Sequence, residues 1–344
     1  MTVRSPAVAE ALSVVGSDFA PLKRSVQTAG LLRRRRGHYA GNIAVNLLLL
    51  AAVWLAVVWV GNTWWSLLLT VPASIFTIRT TFFGHDACHQ QIARTRRVNR
   101  AIGLFLGNLL IGMSYDWWAG KHNRHHANPN DTDKDPDVGN GLLAWTEDQA
   151  RGRRGIASWM TRHQAQLFFP LLLLEGLNLK VSSVRHLMSQ RRPGRLLESL
   201  LLAAHLAGYL SLLFLAMSPG KAFAFLFIHQ ALIGLHLGSA FAPNHKGMPN
   251  PEPGVRWGHV QRQVLTSRNV RGGVVTDWLL GGLNYQIEHH LFPSMPRPNL
   301  RRAQPLIRAH CAEIGIPYTE GRLIASYAIA LRHMHRVGAP LRTG

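Results

Sequence analysis

The sequence predicts an all-α integral membrane protein, with four transmembrane helices paired as two hairpins and a helical cap on one side of the bilayer. Three observations carry this reading. Four segments are apolar enough to cross a bilayer, which takes about 20 residues. The turns inside each pair are tiny, and positive charge gathers on the other side of them. Composition agrees: the 344 residues are 47% hydrophobic yet carry a formal charge of +21. A soluble enzyme rarely combines those values, whereas a membrane protein with basic loops does so readily.

Residues 1–38 read as an N-terminal cytosolic tail with mixed charges and no secretory signal pattern. The run Arg33–Arg36 directly precedes the first apolar segment and has no interleaved aromatic residues. It reads as an anchor for anionic lipid rather than as a nucleic-acid patch. The first span, 43–60, is uncharged, and Gly61-Asn62-Thr63 turns the chain into the second, 64–84. Trp64 and Trp65 fall at the outer interface, where aromatic belts form. Ala101–Met113 is too short to cross and reads as an interfacial or re-entrant helix. Asn128–Asp137 and Pro249–Pro253 are loops by composition. Leu167–Leu174 leads into Lys180, Arg185 and His186, and reads as a helix lying on the inner face. The third and fourth spans, 199–217 and 222–243, enclose the turn Ser218–Lys221.

The two turns hold one cation, Lys221, while the opposite side holds Arg33–Arg36, Arg94, Arg96, Arg97, Arg100, Arg151, Arg153, Arg154, Arg191, Arg192 and Arg195. The positive-inside rule therefore puts both termini in the cytosol. Residues 39–320 form one domain, and 321–344 a C-terminal cytosolic tail. The 32 Arg against 6 Lys point to a GC-rich genome, and with it to a bacterial cell membrane. Cys88 and Cys311 are far apart and give no disulfide framework. Cys88 reads as a small filler between histidines.

Three histidine clusters sit beside these apolar segments: His85-x-x-x-His89, His122-x-x-His125-His126 and Gln286-x-x-His289-His290. Residues three and four apart share one helical face, so each cluster points its imidazoles one way. Seven imidazoles are too many for one tetrahedral zinc. They suit two first-row metals with open positions, and imidazole serves iron, copper and zinc alike. At 1.5 Å per residue, His85 lies roughly 32 Å along its helix from Trp64, about one hydrocarbon thickness. On the fourth span His245 lies roughly 36 Å from Lys221, at a similar height, and His236 only about 22 Å along. His245 is therefore the expected eighth ligand and His236 its rival. Asp86, Asp135, Asp137, Asp277 and Glu288 are near enough in sequence to accept a ring N–H from a ligand histidine.

These residues resemble the three histidine boxes of the membrane fatty acid desaturases. The Gln-x-x-His-His form of the third box is similar to front-end desaturases and related bacterial acyl desaturases. So is the stretch from Arg268-Asn269-Val270 through Asn284-Tyr285-Gln286-Ile287-Glu288-His289-His290-Leu291-Phe292-Pro293. The resemblance covers roughly residues 40–320. It implies a four-span protein with a cytosolic helical cap around a non-haem di-iron centre. His85, His89, His122, His125, His126, His289 and His290 are implied as ligands, His245 as a further one, and Gln286 as a direct or water-mediated partner. The implied cofactors are two Fe2+ ions with O2 as co-substrate. The His-Pro-Gly-Gly motif of a fused cytochrome b5 is absent from the sequence. Electrons are then expected from a separate protein such as ferredoxin, a flavin reductase or free cytochrome b5.

The implied reaction inserts a cis double bond into an acyl chain carried as acyl-CoA or acyl-lipid. An unactivated methylene has no acidity for acid–base catalysis to exploit, which is why a redox metal is needed. An acyl hydroxylase or epoxygenase on the same scaffold would share the first hydrogen abstraction. A metal transporter would instead place its ligands near the midplane within repeated halves. The clusters here lie at span ends, and no repeat is visible.

Overall fold

A computed structural model describes residues 18–139, 141–189, 192–251 and 257–342. The first 17 residues of the expected tail, Arg191 and the end of the expected Pro249–Pro253 loop lie outside the described residues. The helices in chain order are α1 (Phe19–Thr28), α2 (Arg36–Val60), α3 (Thr70–Cys88), α4 (Arg96–Leu104), α5 (Tyr115–Ala127), α6 (Glu147–Arg151), α7 (Gly155–Arg162), α8 (Gln164–Ser189), α9 (Arg195–Ala216), α10 (Pro219–His245), α11 (His259–Leu265), α12 (Val274–Leu279), α13 (Gln286–Leu291), α14 (Arg297–Glu313) and α15 (Leu323–Val337). Two short strands, β1 (Asn269–Arg271) and β2 (Glu320–Arg322), pair in parallel with Val270 opposite Gly321. The chain forms two compact units. One holds Arg34–His122 and Gln166–Ser239; the other holds Met1–Arg33, Asn123–Ala165 and Ala240–Gly344.

Among the described residues, five helical stretches are long and apolar enough to cross a membrane: Arg36–Val60, Trp64–Cys88, Gln164–Ser189, Arg195–Ala216 and Pro219–His245. Three of the expected spans fall within three of them, and the span expected at 199–217 overruns Arg195–Ala216 by one residue, Met217, which is extended. The fifth is α8, which the sequence reading set apart because of its charges. One of these, Lys180, is turned inward, and its Nζ donates to the Ile111 carbonyl at 2.5 Å.

In the first unit, apolar side chains such as Leu48, Leu55 and Trp59 of α2 face outward, as lipid-facing helices require. Polar side chains join neighbouring helices at a few points. Asn46 of α2 donates to Thr80 Oγ1 of α3 at 2.9 Å, and Tyr209 of α9 meets His229 Nδ1 of α10 at 2.9 Å. Helices α8 and α10 meet backbone to backbone: a Cβ at Gly176 would lie 2.2 Å from the Gln230 carbonyl oxygen, and one at Gly234 2.3 Å from that of Leu172. The short 101–113 segment is α4 followed by one π-type stretch, Phe105–Ile111. It stops at Gly112, whose φ of +75° and closeness to the His205 ring admit only glycine.

In the second unit the core is built by Leu22 and Val26 of α1, Ile287 and Leu291 of α13, and Leu300 and Ile307 of α14, with Phe292 and Met295 between. Residues expected as tail therefore contribute ordered helix at both ends, α1 and α15. The ten-residue α1 is too short and polar to announce itself, yet Leu22 and Val26, four apart, fill one buried stripe.

Candidate metal centre

In the first unit α3 delivers His85 and His89 to its C-terminal end, and α5 brings in His122. All three are buried, with ring nitrogens within 4.8 Å of one another. His89 Nε2 and His122 Nε2 are 3.0 Å apart. Trp118, one turn before His122, stacks on that imidazole at 4.5 Å and 17° and meets His85 edge-on at 5.7 Å. Asp86 Oδ1 lies 3.3 Å from His85 Nδ1.

The second unit gathers His125, His245 and His290, again with ring nitrogens within 4.8 Å. Here the surroundings decide the tautomers. His125 Nδ1 is 2.8 Å from Asp135 Oδ2, His245 Nδ1 is 2.9 Å from the Thr266 carbonyl, and His290 Nδ1 is 2.9 Å from Gln263 Oε1. All three partners can only accept, so each Nδ1 carries a proton, and in the neutral ring it is Nε2 that has the lone pair. That is the ligand form of imidazole, with its outer N–H anchored. His126 and His289 bring their Nε2 atoms to 3.1 Å, and His126 stacks on His290 at 4.1 Å. Gln263 serves twice, since its Nε2 also donates to the His126 carbonyl at 3.0 Å.

Asp135 is the hub of the 128–137 loop. It accepts from the Asn130 amide at 2.9 Å as well as from His125, and Asn130 adopts the left-handed conformation (φ +59°) that asparagine tolerates. Burial opposes ionisation of Asp135, but the hydrogen bond from His125 outweighs it and holds the carboxyl below its usual range. Asp137 Oδ2 lies farther from His125 Nδ1, at 3.6 Å. Asp135→Ala is expected to weaken metal binding by roughly 10–100-fold through loss of this anchor. Chelator competition on the purified protein measures it, and unchanged affinity would refute the anchoring role.

The other expected residues are placed as follows. Gln286 Nε2 sits 2.8 Å from His245 Nε2, close enough to share a metal or a water with it. His236 meets the Phe82 ring at 6.4 Å and joins none of the histidine clusters among the described residues. Asp277 accepts from Asn284 Nδ2 at 2.8 Å and from Tyr285 Oη at 3.3 Å. Glu288 accepts from Asn269 Nδ2 and Tyr318 Oη, each at 2.7 Å. Burial pushes the Glu288 carboxyl upward against those two hydrogen bonds. Both acids thus hold the third box from behind rather than touching an imidazole. Gln263, Thr266 and Asn130 carry no pattern that sequence reasoning could use. The neighbouring Arg268 threads its guanidinium among the carbonyls of Pro243, Lys246 and Ser326.

Buried neutral imidazoles with lone pairs turned inward form a donor set for redox-active first-row metals. Residues 62–322 match the family model for fatty acid desaturases. The chain belongs to the fatty acid desaturase family. It is 26% identical over 329 residues to an acyl-lipid (9-3)-desaturase of Physcomitrium patens, covering 93% of this chain and 62% of that one. It is 28% identical over 324 residues to a delta(8)-fatty-acid desaturase of Helianthus annuus, covering 89% and 70%. To the delta(6)-fatty-acid desaturase fat-3 of Caenorhabditis elegans it is 31% identical over 264 residues, covering 73% and 60%. This desaturase-family chain thus spans about three-fifths to seven-tenths of these relatives' length. All three are eukaryotic, and the bacterial source expected from arginine usage finds no support among them. Family membership and the five apolar helices make the protein an integral membrane protein.

Proposed function

We propose that this protein is an O2-dependent fatty acyl desaturase that inserts a cis double bond into an acyl-CoA or acyl-lipid. The single observation carrying the proposal is the outward anchoring of Nδ1 on His125, His245 and His290, which readies three Nε2 atoms for metal. With His85, His89, His122, His126 and His289 they would hold two non-haem irons. Iron, when bound, supplies the redox chemistry by which O2 oxidises an unactivated C–H bond. Overall, two hydrogens leave adjacent carbons and O2 becomes two waters, with two further electrons and two protons supplied from outside. A separate donor protein would deliver those electrons.

The chain's own residues have three tasks. The histidines and their anchors keep the donor atoms in place. The apolar helices hold the acyl chain so that one pair of carbons is presented. The basic face attracts an anionic headgroup or coenzyme phosphates.

A cytosolic cap over four spans is supported by parity. His125 and His245 meet in one unit, and three long apolar helices, α8, α9 and α10, lie between them in sequence. An even number of these must cross the bilayer. Helices α9 and α10 form a tight hairpin, which leaves α8, with Glu175, Lys180 and Arg185, as the helix that stays on one side. The charge asymmetry in the sequence favours the cytosol for that side. As domains we retain 39–320 with flanks 1–38 and 321–344.

The test is expression in a desaturase-poor host followed by fatty acid methyl ester profiling. A new unsaturated acid is the expected result. A new hydroxy acid in its place would sink the desaturase assignment.

A further inference from the structure

The start of α5 gives every amide proton of its first turn to a side chain. Ser114 N–H donates to Ser183 Oγ at 3.0 Å and Tyr115 N–H to Asn108 Oδ1 at 3.0 Å. Asp116 N–H donates to Glu198 Oε2 at 3.4 Å, and Trp117 N–H to Ser114 Oγ at 3.3 Å. A helix start leaves such donors unsatisfied unless something supplies acceptors. Ser114 is therefore the cap residue, and its own hydroxyl donates to Glu198 Oε2 at 2.6 Å.

Glu198 lies in the first turn of α9 and is wholly buried. It also accepts from Asn108 Nδ2 at 3.2 Å and is paired with Arg192. Arg192 reaches Asp116 at 2.7 Å, and Arg100 reaches the same carboxylate at 2.6 Å. An ionisable group in an apolar helix is costly and calls for a reason. The proposed reaction gives Glu198 no proton to carry. Its carboxylate instead sits at the positive end of α5, where negative charge is favoured.

From this cap α5 runs straight to an imidazole. Trp118 N–H bonds to the Ser114 carbonyl at 3.1 Å, and Trp118 in turn stacks on His122. His122 is eight residues from Ser114, about 12 Å along the axis. A slip of one residue at the cap would turn it by about 100°.

We propose that Glu198 is a positioning residue: acting through Ser114 and Asp116, it sets the rotation and height of α5 and so aims His122 at His85 and His89. The inference rests on the iron-holding reading above. The test uses purified full-length protein loaded with 57Fe and read by Mössbauer spectroscopy and iron content. Wild type, Glu198→Ala, Glu198→Gln, Ser114→Ala and His122→Ala are compared. Wild type is expected to hold two irons in two resolvable environments. Glu198→Ala should lose or broaden the same one of these signals that His122→Ala removes, with iron falling from about two towards one per chain and helicity retained. Glu198→Gln still accepts from the Ser114 hydroxyl and should restore most of the signal. Ser114→Ala should perturb the same signal, and it decides the matter if Glu198→Ala does not fold. Two unchanged signals in both the Glu198→Ala and Ser114→Ala proteins, or equal loss of both, would overturn the role of Glu198 alone. Wild type without iron would overturn the metal reading and this inference with it.

Discussion

Replacing His125 with alanine is expected to abolish the new unsaturated product and to lower the iron bound per chain, whereas His236→Ala should retain both. The two histidines differ in what surrounds them. The His125 ring is fixed from behind by Asp135 and lies at 4.7 Å from the His245 ring and 5.1 Å from that of His290. Removing it deletes a donor atom and leaves the buried Asp135 carboxylate without its ring partner. The loss should exceed the roughly 10–100-fold expected for an outer anchor. His236 contacts Phe82 and joins no cluster among the described residues. Methyl ester profiles and iron content from parallel cultures read both variants. Undiminished product from His125→Ala would remove it from the ligand set, and loss of iron from His236→Ala would reverse the assignment of His245.

Arg268→Met should cost about 3–5 kcal/mol of stability, because it strips buried carbonyls of their side-chain donor at about 1–3 kcal/mol each. Arg268 is only 1% exposed. Its guanidinium donates to Pro243 O at 2.8 and 2.5 Å, to Lys246 O at 3.0 Å and to Ser326 O at 3.3 Å. All of these are neutral carbonyls. Burial accordingly pushes the Arg268 pKa down to about 10, which leaves it charged at neutral pH. The carbonyl of Pro243 lies in the last turn of α10 and that of Lys246 just beyond it, where the helix dipole favours a cation. Methionine fills similar volume but leaves three acceptors buried, at about 1–3 kcal/mol each. The unfolding midpoint in detergent should fall by roughly 10 °C. A midpoint unchanged within error would mean that water takes over those carbonyls. Because the Arg268 amide also holds Asn244 O at 2.7 Å, the same variant should loosen His245.

The histidine clusters were readable because spacings of three and four place side chains on one face without any tertiary knowledge. His245 was separable from His236 by helix rise alone, nine residues being about 13 Å. Of the anchors, Asp135 could be named from its place near the second cluster, whereas the partners of His245 and His290 could not. A carbonyl such as that of Thr266 has no sequence signature, and Gln263 reaches His290 only because α11 and α13 pack together. Glu288 illustrates the opposite error of assuming that sequence neighbours cooperate. It directly precedes His289, but one residue along a helix turns the side chain by about 100°, away from the imidazoles and towards Asn269 and Tyr318. For α8, composition alone could not separate a crossing helix from one lying along the membrane, since both bury apolar faces. By length and composition α8 stands with the four expected spans as a fifth helix able to cross.

The glycine contacts between α8 and α10 limit how the interior of their unit can be remodelled. At Gly176 and Gly234 the helices approach so closely that a single methyl group would force them apart. Laboratory evolution aimed at longer or bulkier acyl chains gains nothing by varying these two positions, because any replacement moves whole helices before it reshapes a wall. New room must be carved where side chains already separate the backbones. The spacing of these helices is a fixed dimension of the scaffold, and variation in acyl specificity is left to the residues around it.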